Sequence, residues 1–206
     1  MKIRYLFILT LLLASCNNET NIISPNQQTL GSTFTQGNFW VYSVIDSENS
    51  YGQKSKVTLD TLVITNLGKT RLSNGKSAYI WNYKYLQRNY STTLYVSQSI
   101  DTLFIYRKDL SEFLLITFPL QVNRSWKSSG ISYLIESQTT VKTSLPFYFN
   151  TYKIRQGIYG LNEFKTINYF IDPNFGIIKM DLNDFCTVCS VSNIKVHWQL
   201  IDFKLP

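Results

Sequence analysis

The feature that most constrains this chain is a two-residue alternation that recurs along most of its length. Tyr79-Ile80-Trp81-Asn82-Tyr83-Lys84-Tyr85 shows it most clearly, with four rings at every second position and Asn82 and Lys84 on the other face. Successive side chains of an extended chain point to opposite sides, so this pattern acquires one apolar face only as a β-strand. Phe39-Trp40-Val41-Tyr42-Ser43-Val44-Ile45 repeats the texture. So do the runs 54–65, with Val57, Leu59, Thr61 and Val63 on one face, and 91–100, 102–107, 112–120, 132–141, 147–155, 165–171, 176–182 and 193–204. Turn residues separate them, and 46–52 and 66–75 read as loops. Beyond the extreme N-terminus no window holds a helical apolar stripe, and no internal repeat of fixed period is present. Composition agrees: 14 Tyr, 13 Phe and 4 Trp stand against two alanines, Ala14 and Ala78. Aromatic residues suit a pleated surface, and alanine is the best helix former. The expectation is a single antiparallel all-β domain of roughly ten or eleven strands. So many strands must manage their edges, which leaves an open barrel, a half-barrel or a sandwich.

The first sixteen residues read differently. Lys2 and Arg4 precede the apolar run from Tyr5 to Leu13, which is too short to span a bilayer core of about 20 apolar residues. Leu13-Ala14-Ser15-Cys16 follows and resembles the lipobox of bacterial lipoprotein signal peptides. The resemblance implies a diacylglyceryl-modified Cys16, cleavage before it, and acylation of the new amine. Asn17 is not the aspartate that marks inner-membrane retention in enteric bacteria, so the outer membrane is favoured by that analogy. Glu19 alone leaves the surface and periplasmic orientations both open. The expected organisation is a signal peptide over 1–15, a lipidated cysteine and polar tether over 16–35, and the β domain over 36–206.

Three further stretches resemble small, uncharacterised lipoproteins of the Bacteroidetes and related bacteria. Gly37-Asn38-Phe39-Trp40-Val41-Tyr42 is similar to their G-x-x-W-x-Y opening. Val122-Asn123-Arg124-Ser125-Trp126 is similar to a second tryptophan motif, with Asn123 where glycine is usual. The stretch from Tyr169 through Pro173 and Gly176 to Lys179 is similar to their late P-x-x-G hairpin. The resemblance implies an exported antiparallel β domain and brings no catalytic residues. The motifs also have plain structural readings: Gly37 for a sharp turn into the sheet, Trp40 and Tyr42 for burial, Pro173 and Gly176 for a turn.

Residues that carry chemistry are few. The one histidine, His197, alternates with Ile194, Val196, Trp198 and Leu200, which puts it on the polar face with Lys195 and Gln199. Cys186-Thr187-Val188-Cys189 is a C-x-x-C between two strands rather than at the start of a helix, the setting that lowers a thiol's pKa. The pair therefore reads as a structural disulfide of an oxidising compartment, with a redox or metal-binding pair as alternatives. Asp101, Glu112, Glu136, Glu163, Asp172 and Asp181 are scattered among turns and strands, and no phosphate loop, G-x-S-x-G elbow or EF-hand loop is present. No cofactor or metal is called for. The formal charge is +7, or +5 without Lys2 and Arg4, and it is dispersed rather than striped, so no nucleic-acid partner is expected.

The resulting expectation is a non-enzymatic binding or structural module of the outer membrane. Its partners would be the membrane, through the lipid on Cys16, and an unidentified protein segment or apolar ligand held by Tyr79, Trp81, Tyr83 and Tyr85. A hydrolase with paired carboxylates, or a thiol oxidoreductase using Cys186 and Cys189, is the alternative from another class. A glycan-binding module is the third. An enzyme requires acids or thiols converging in a cleft, and a carrier requires an apolar cavity. Replacing Cys16 by Ala is expected to abolish acylation and release the chain from membranes, as read by acyl labelling and salt-washed fractionation. A wild-type chain without label overturns the lipidation reading.

Overall fold

Each alternating run is a strand in the computed structural model, which describes residues 34–50, 54–159, 163–186 and 191–205. In chain order these are β1 (Phe39–Ser50), β2 (Lys56–Arg71), β3 (Ser77–Tyr85), β4 (Tyr90–Gln98), β5 (Thr102–Tyr106) and β6 (Glu112–Thr117). The second half comprises β7 (Ser125–Ser128), β8 (Ile131–Lys142), β9 (Tyr148–Tyr159), β10 (Glu163–Asp172), β11 (Gly176–Cys186) and β12 (Val191–Lys204). All twelve share one antiparallel sheet in the order β6-β5-β4-β3-β2-β1-β12-β11-β10-β9-β8-β7. The sheet curls into a nearly closed barrel rather than a sandwich. Its first strand pairs with its last, from Phe39↔Lys204 to Ser50↔Val191. The seam lies instead between β6 and β7, which are consecutive in the chain.

Three differences from the sequence reading have simple causes. The strand beyond the expected eleven is β7, whose four residues are too few to display a period. The 66–75 stretch is not all loop: β2 runs on to Arg71 through a bulge between Asn66 and Gly68, which lets the strand bend. On β2 the face carrying Val57 and Leu59 is the outer one, 61% and 67% exposed, and Leu62 and Ile64 point inward. The pairing with β1 decides this, because Val44 sits opposite Asp60 and Ile45 opposite Leu59.

The motif residues occupy the corners. Gly37 has φ +87° and donates its N–H to the Asn66 carbonyl at 2.9 Å, a backbone conformation that a Cβ disfavours. Asn123, standing where glycine is usual, has φ +70°, and asparagine is among the few other residues that tolerate the left-handed region. Asp172 accepts the Asn174 N–H at 2.8 Å and so braces the turn from Pro173 to Gly176.

One end of the barrel is filled by rings. Trp40 meets Trp81 at 5.1 Å between centroids, and Phe34 meets Tyr79 at 4.8 Å. Phe175 lies 5.3 Å from both Phe149 and Phe203, with Phe147 at 6.2 Å. Trp40 Nε1 donates to the Phe175 carbonyl at 2.9 Å and the Tyr42 hydroxyl to the Ile177 carbonyl at 2.7 Å, so β1 is tied to the β10–β11 turn. A barrel widens with strand number, and at twelve strands only large side chains reach far enough inward to close it. Trp40 and Trp198 are both buried, at 2% and 6% exposure, as their alternation implies. Trp40→Ala removes a packed ring and leaves the Phe175 carbonyl without its donor. It is expected to cost about 3–5 kcal/mol, measured by urea unfolding.

Candidate functional site

Away from this floor, the inward-facing phase of the strands changes character. On β1 it runs Trp40, Tyr42, Val44 and then Asp46; on β2, taken in the same direction, it runs Ile64, Leu62 and then Asp60. Bulky rings give way to shorter or charged groups, and a cavity of about 720 Å³ opens at the end carrying the β3–β4 and β5–β6 turns. Leu94, Ile167, Met180 and Val196 line it with Tyr83, Tyr85 and Trp198. Tyr90 and Ile158 stand at its mouth, 55% and 38% exposed, among the charged groups Asp46, Arg88, Lys108 and Lys165. A volume of this size and an apolar wall with a few polar groups are typical of small-molecule sites.

The four rings expected to act together are divided by the barrel. All four face inward from β3, but Tyr79 and Trp81 belong to the floor, and only Tyr83 and Tyr85 reach the cavity. There they form a wall with Trp198, at 6.4 Å and 6.5 Å between centroids, and Tyr90 extends it at 6.1 Å from Tyr85. Burial pushes the Tyr83 phenol well above its usual range, with the Tyr85 and Tyr169 phenols adding to the effect. Tyr85 is pushed up to about 12, first by burial and then by the Asp46 carboxylate, against the pull of Arg88.

Across the cavity a polar chain bridges the seam. The Glu112 carboxylate on β6 accepts Ser128 Oγ at 2.6 Å and the Tyr133 hydroxyl at 2.8 Å, linking β6 to β7 and β8 where no ladder does. Gln156 continues the chain, donating to the Phe113 carbonyl at 3.3 Å and accepting the Tyr169 hydroxyl at 3.0 Å. Burial raises the Tyr133 phenol, and its hydrogen bond to Glu112 raises it further.

Of the remaining singled-out residues, those whose side chains are described lie apart from the cavity. His197 is on the outer face as expected, its Nδ1 at 2.6 Å from Asp181, which also holds Lys179 at 2.9 Å. Glu136 pairs with Lys153 and Arg155, and Asp101 accepts from Ser99 and Thr102, whose hydrogen bonds hold its carboxyl below the ordinary range. Glu163 opens β10. Cys186, the last residue of β11, is buried and disulfide-bonded; Cys189 and Cys16 lie outside the described residues. Among the described residues no three His, Cys, Asp or Glu side chains are grouped to hold a metal. Of the scattered carboxylates whose side chains are described, only Glu112 reaches the cavity, and the sequence reading missed Asp46, Arg88 and Met180. The available signal was a charge in phase with core residues, as Asp46 is with Trp40, Tyr42 and Val44.

No protein-family model and no curated protein matches the chain. Two solved structures are similar to it. One is a Bacteroides fragilis protein provisionally described as exported, with a YmcC-like fold; it is 12% identical, with 82% of this chain and 96% of that chain covered at a TM-score of 0.49. The other is a DUF1329 family protein of Desulfovibrio piger, 8% identical, with 85% and 88% covered at a TM-score of 0.28.

The raised phenols set the alkaline limit of the fold. Unfolded tyrosines ionise near pH 10, whereas Tyr83, Tyr85, Tyr133 and Tyr169 hold their protons beyond it in the barrel. Above about pH 10 the unfolded chain therefore binds fewer protons than the folded one, and stability falls as pH rises. Denaturation midpoints are expected to show no contribution from these groups below pH 10 and a decline toward pH 12. Phenolate absorbance should reach its full value only on unfolding.

Proposed function

We propose that this chain is a lipid-anchored, non-enzymatic cup of the outer membrane that receives the apolar part of a small ligand at the open end of its barrel. The observation that carries the reading is the contrast between the two ends. One is closed by stacked rings, and the other holds a cavity of about 720 Å³ with an apolar, aromatic wall. Burying a ligand there gains about 25 cal/mol per Å² of apolar surface removed from water. Each acid nearest the cavity has a partner: Asp46 pairs with Arg88 through one oxygen, Asp109 accepts from Ser111, and Glu112 accepts from Ser128 and Tyr133. This supports holding rather than proton transfer. Anchoring by Cys16 would keep such a cup at the membrane that supplies or receives its ligand.

The neutral fluorophore N-phenylnaphthylamine tests the reading. It is expected to bind one per domain with a blue-shifted, enhanced emission. Leu182 lines the cavity and is only partly buried, so Leu182→Trp fills the space with little strain on the core. That variant is expected to lose at least about tenfold in affinity at an unchanged melting temperature. Wild-type affinity in Leu182→Trp removes the cavity as the binding site.

A further inference from the structure

The wall formed by β12, β1, β2, β3 and β4 joins rings to an excess of negative charge, and we infer that the cup selects ligands whose polar end is an ammonium group. This deepens the cup reading and rests on it. Arg88, from the β3–β4 turn, is shared by two carboxylates: it pairs with Asp46, and its Nε lies 2.9 Å from Asp60 Oδ2. Two acids to one guanidinium leave this wall with a net negative charge. Asp60 has a partner at each oxygen: one accepts the N–H groups of Thr61 at 2.7 Å and Gln87 at 3.0 Å, and Oδ2, though without a hydrogen bond, faces the Arg88 guanidinium as its ion-pair partner. Asp46 faces Arg88 through one oxygen, Oδ2. Its Oδ1 is buried without a hydrogen-bond partner among the described residues, and Asp46 lines the cavity.

The other charges at the mouth do not cancel this imbalance. Glu48 and Lys56, in the small recess beside Asp46, offset one another. On the facing wall Arg107 and Lys108 are matched by Asp109 and Glu112, and Lys165 is paired with Asp184 at 3.2 Å. Around Asp46 stand the rings of Tyr85, Tyr90 and Trp198, the outer part of the aromatic wall. Aromatic faces attract cations, more strongly where water is excluded, and Arg88 already lies 5.2 Å from the Tyr85 ring. A buried carboxylate oxygen lacking a donor, beside such rings and above an apolar well, is complementary to an alkylammonium: the tail enters the well and the cation rests between Asp46 and the rings. An anionic head at this wall would meet the excess carboxylate.

The test is a calorimetric titration of the purified full chain with three amphiphiles of one tail length, each below its micelle concentration: octylammonium, whose N–H groups can donate to Asp46 Oδ1, octyl glucoside and octyl sulfate. The expected result is a preference of at least about tenfold for the ammonium over octyl glucoside, and in Asp46→Asn that ratio falls to about one. Tyr90 is more than half exposed, so Tyr90→Ala spares the fold, and it is expected to reduce the same preference. Equal affinity for the three heads, or a preference that survives in both variants, overturns the ammonium inference and leaves the cup standing. If no amphiphile binds, the cup itself falls and the inference with it.

Discussion

The pairing of β1 with β12 is the interaction on which the remainder of the molecule depends. It joins two six-stranded meanders, each built from hairpins between chain neighbours, into one curved sheet. Without it each arm would present its terminal strand as a long open edge. With it the break among the described strands falls at β6 and β7, two short strands whose open edges expose few backbone groups. That break is bridged by side chains, Glu112 to Ser128 and Tyr133, in place of a backbone ladder.

Strand number then sets the width, and width sets what the interior must contain. At the floor, Trp40, Trp81, Phe149 and Phe175 are long enough to meet across the barrel, and the indole and phenol donors of Trp40 and Tyr42 are satisfied by main-chain carbonyls. Nearer the mouth the inward positions hold Leu94, Met180 and Asp46, which do not span the same distance, so space remains. The cavity thus follows from a change in side-chain reach along strands of constant geometry. The same change brings charge inward, and pairing with Arg88 makes the buried Asp60 tolerable.

Most of the architecture was legible because each barrel wall has one wet face and one dry face, which stamps a period of two on β1, β3 and β12. Where both phases carry apolar residues the period says nothing about direction. On β2, Val57 and Leu59 look as buried as Leu62 and Ile64 until the register with β1 is known. Four-residue β7 was illegible for want of length. At the site, Tyr83 and Tyr85 were foreseen from their alternation, and so were Tyr79 and Trp81, which the floor claims instead. A local window cannot tell floor from wall, since the height of a residue in the barrel depends on pairings many residues away. Asp46 was visible as a charge in the dry phase, but its partner Arg88 sits in a turn and is brought to it only by folding.

The closure of the barrel has a temporal side. A chain made from its N-terminus at about 5–20 residues per second completes β1 roughly 7–30 seconds before β12 exists. Throughout that interval the strand that bears Trp40 and Tyr42 has β2 on one side and nothing on the other. Its final partner is the last strand of this sheet to appear, so the sheet cannot be finished in instalments. A chain stopped anywhere before Val191 is therefore not a smaller barrel. It is an unfinished sheet with a twelve-residue open edge, apolar through its first half, the sort of surface on which copies of the same sequence add to one another.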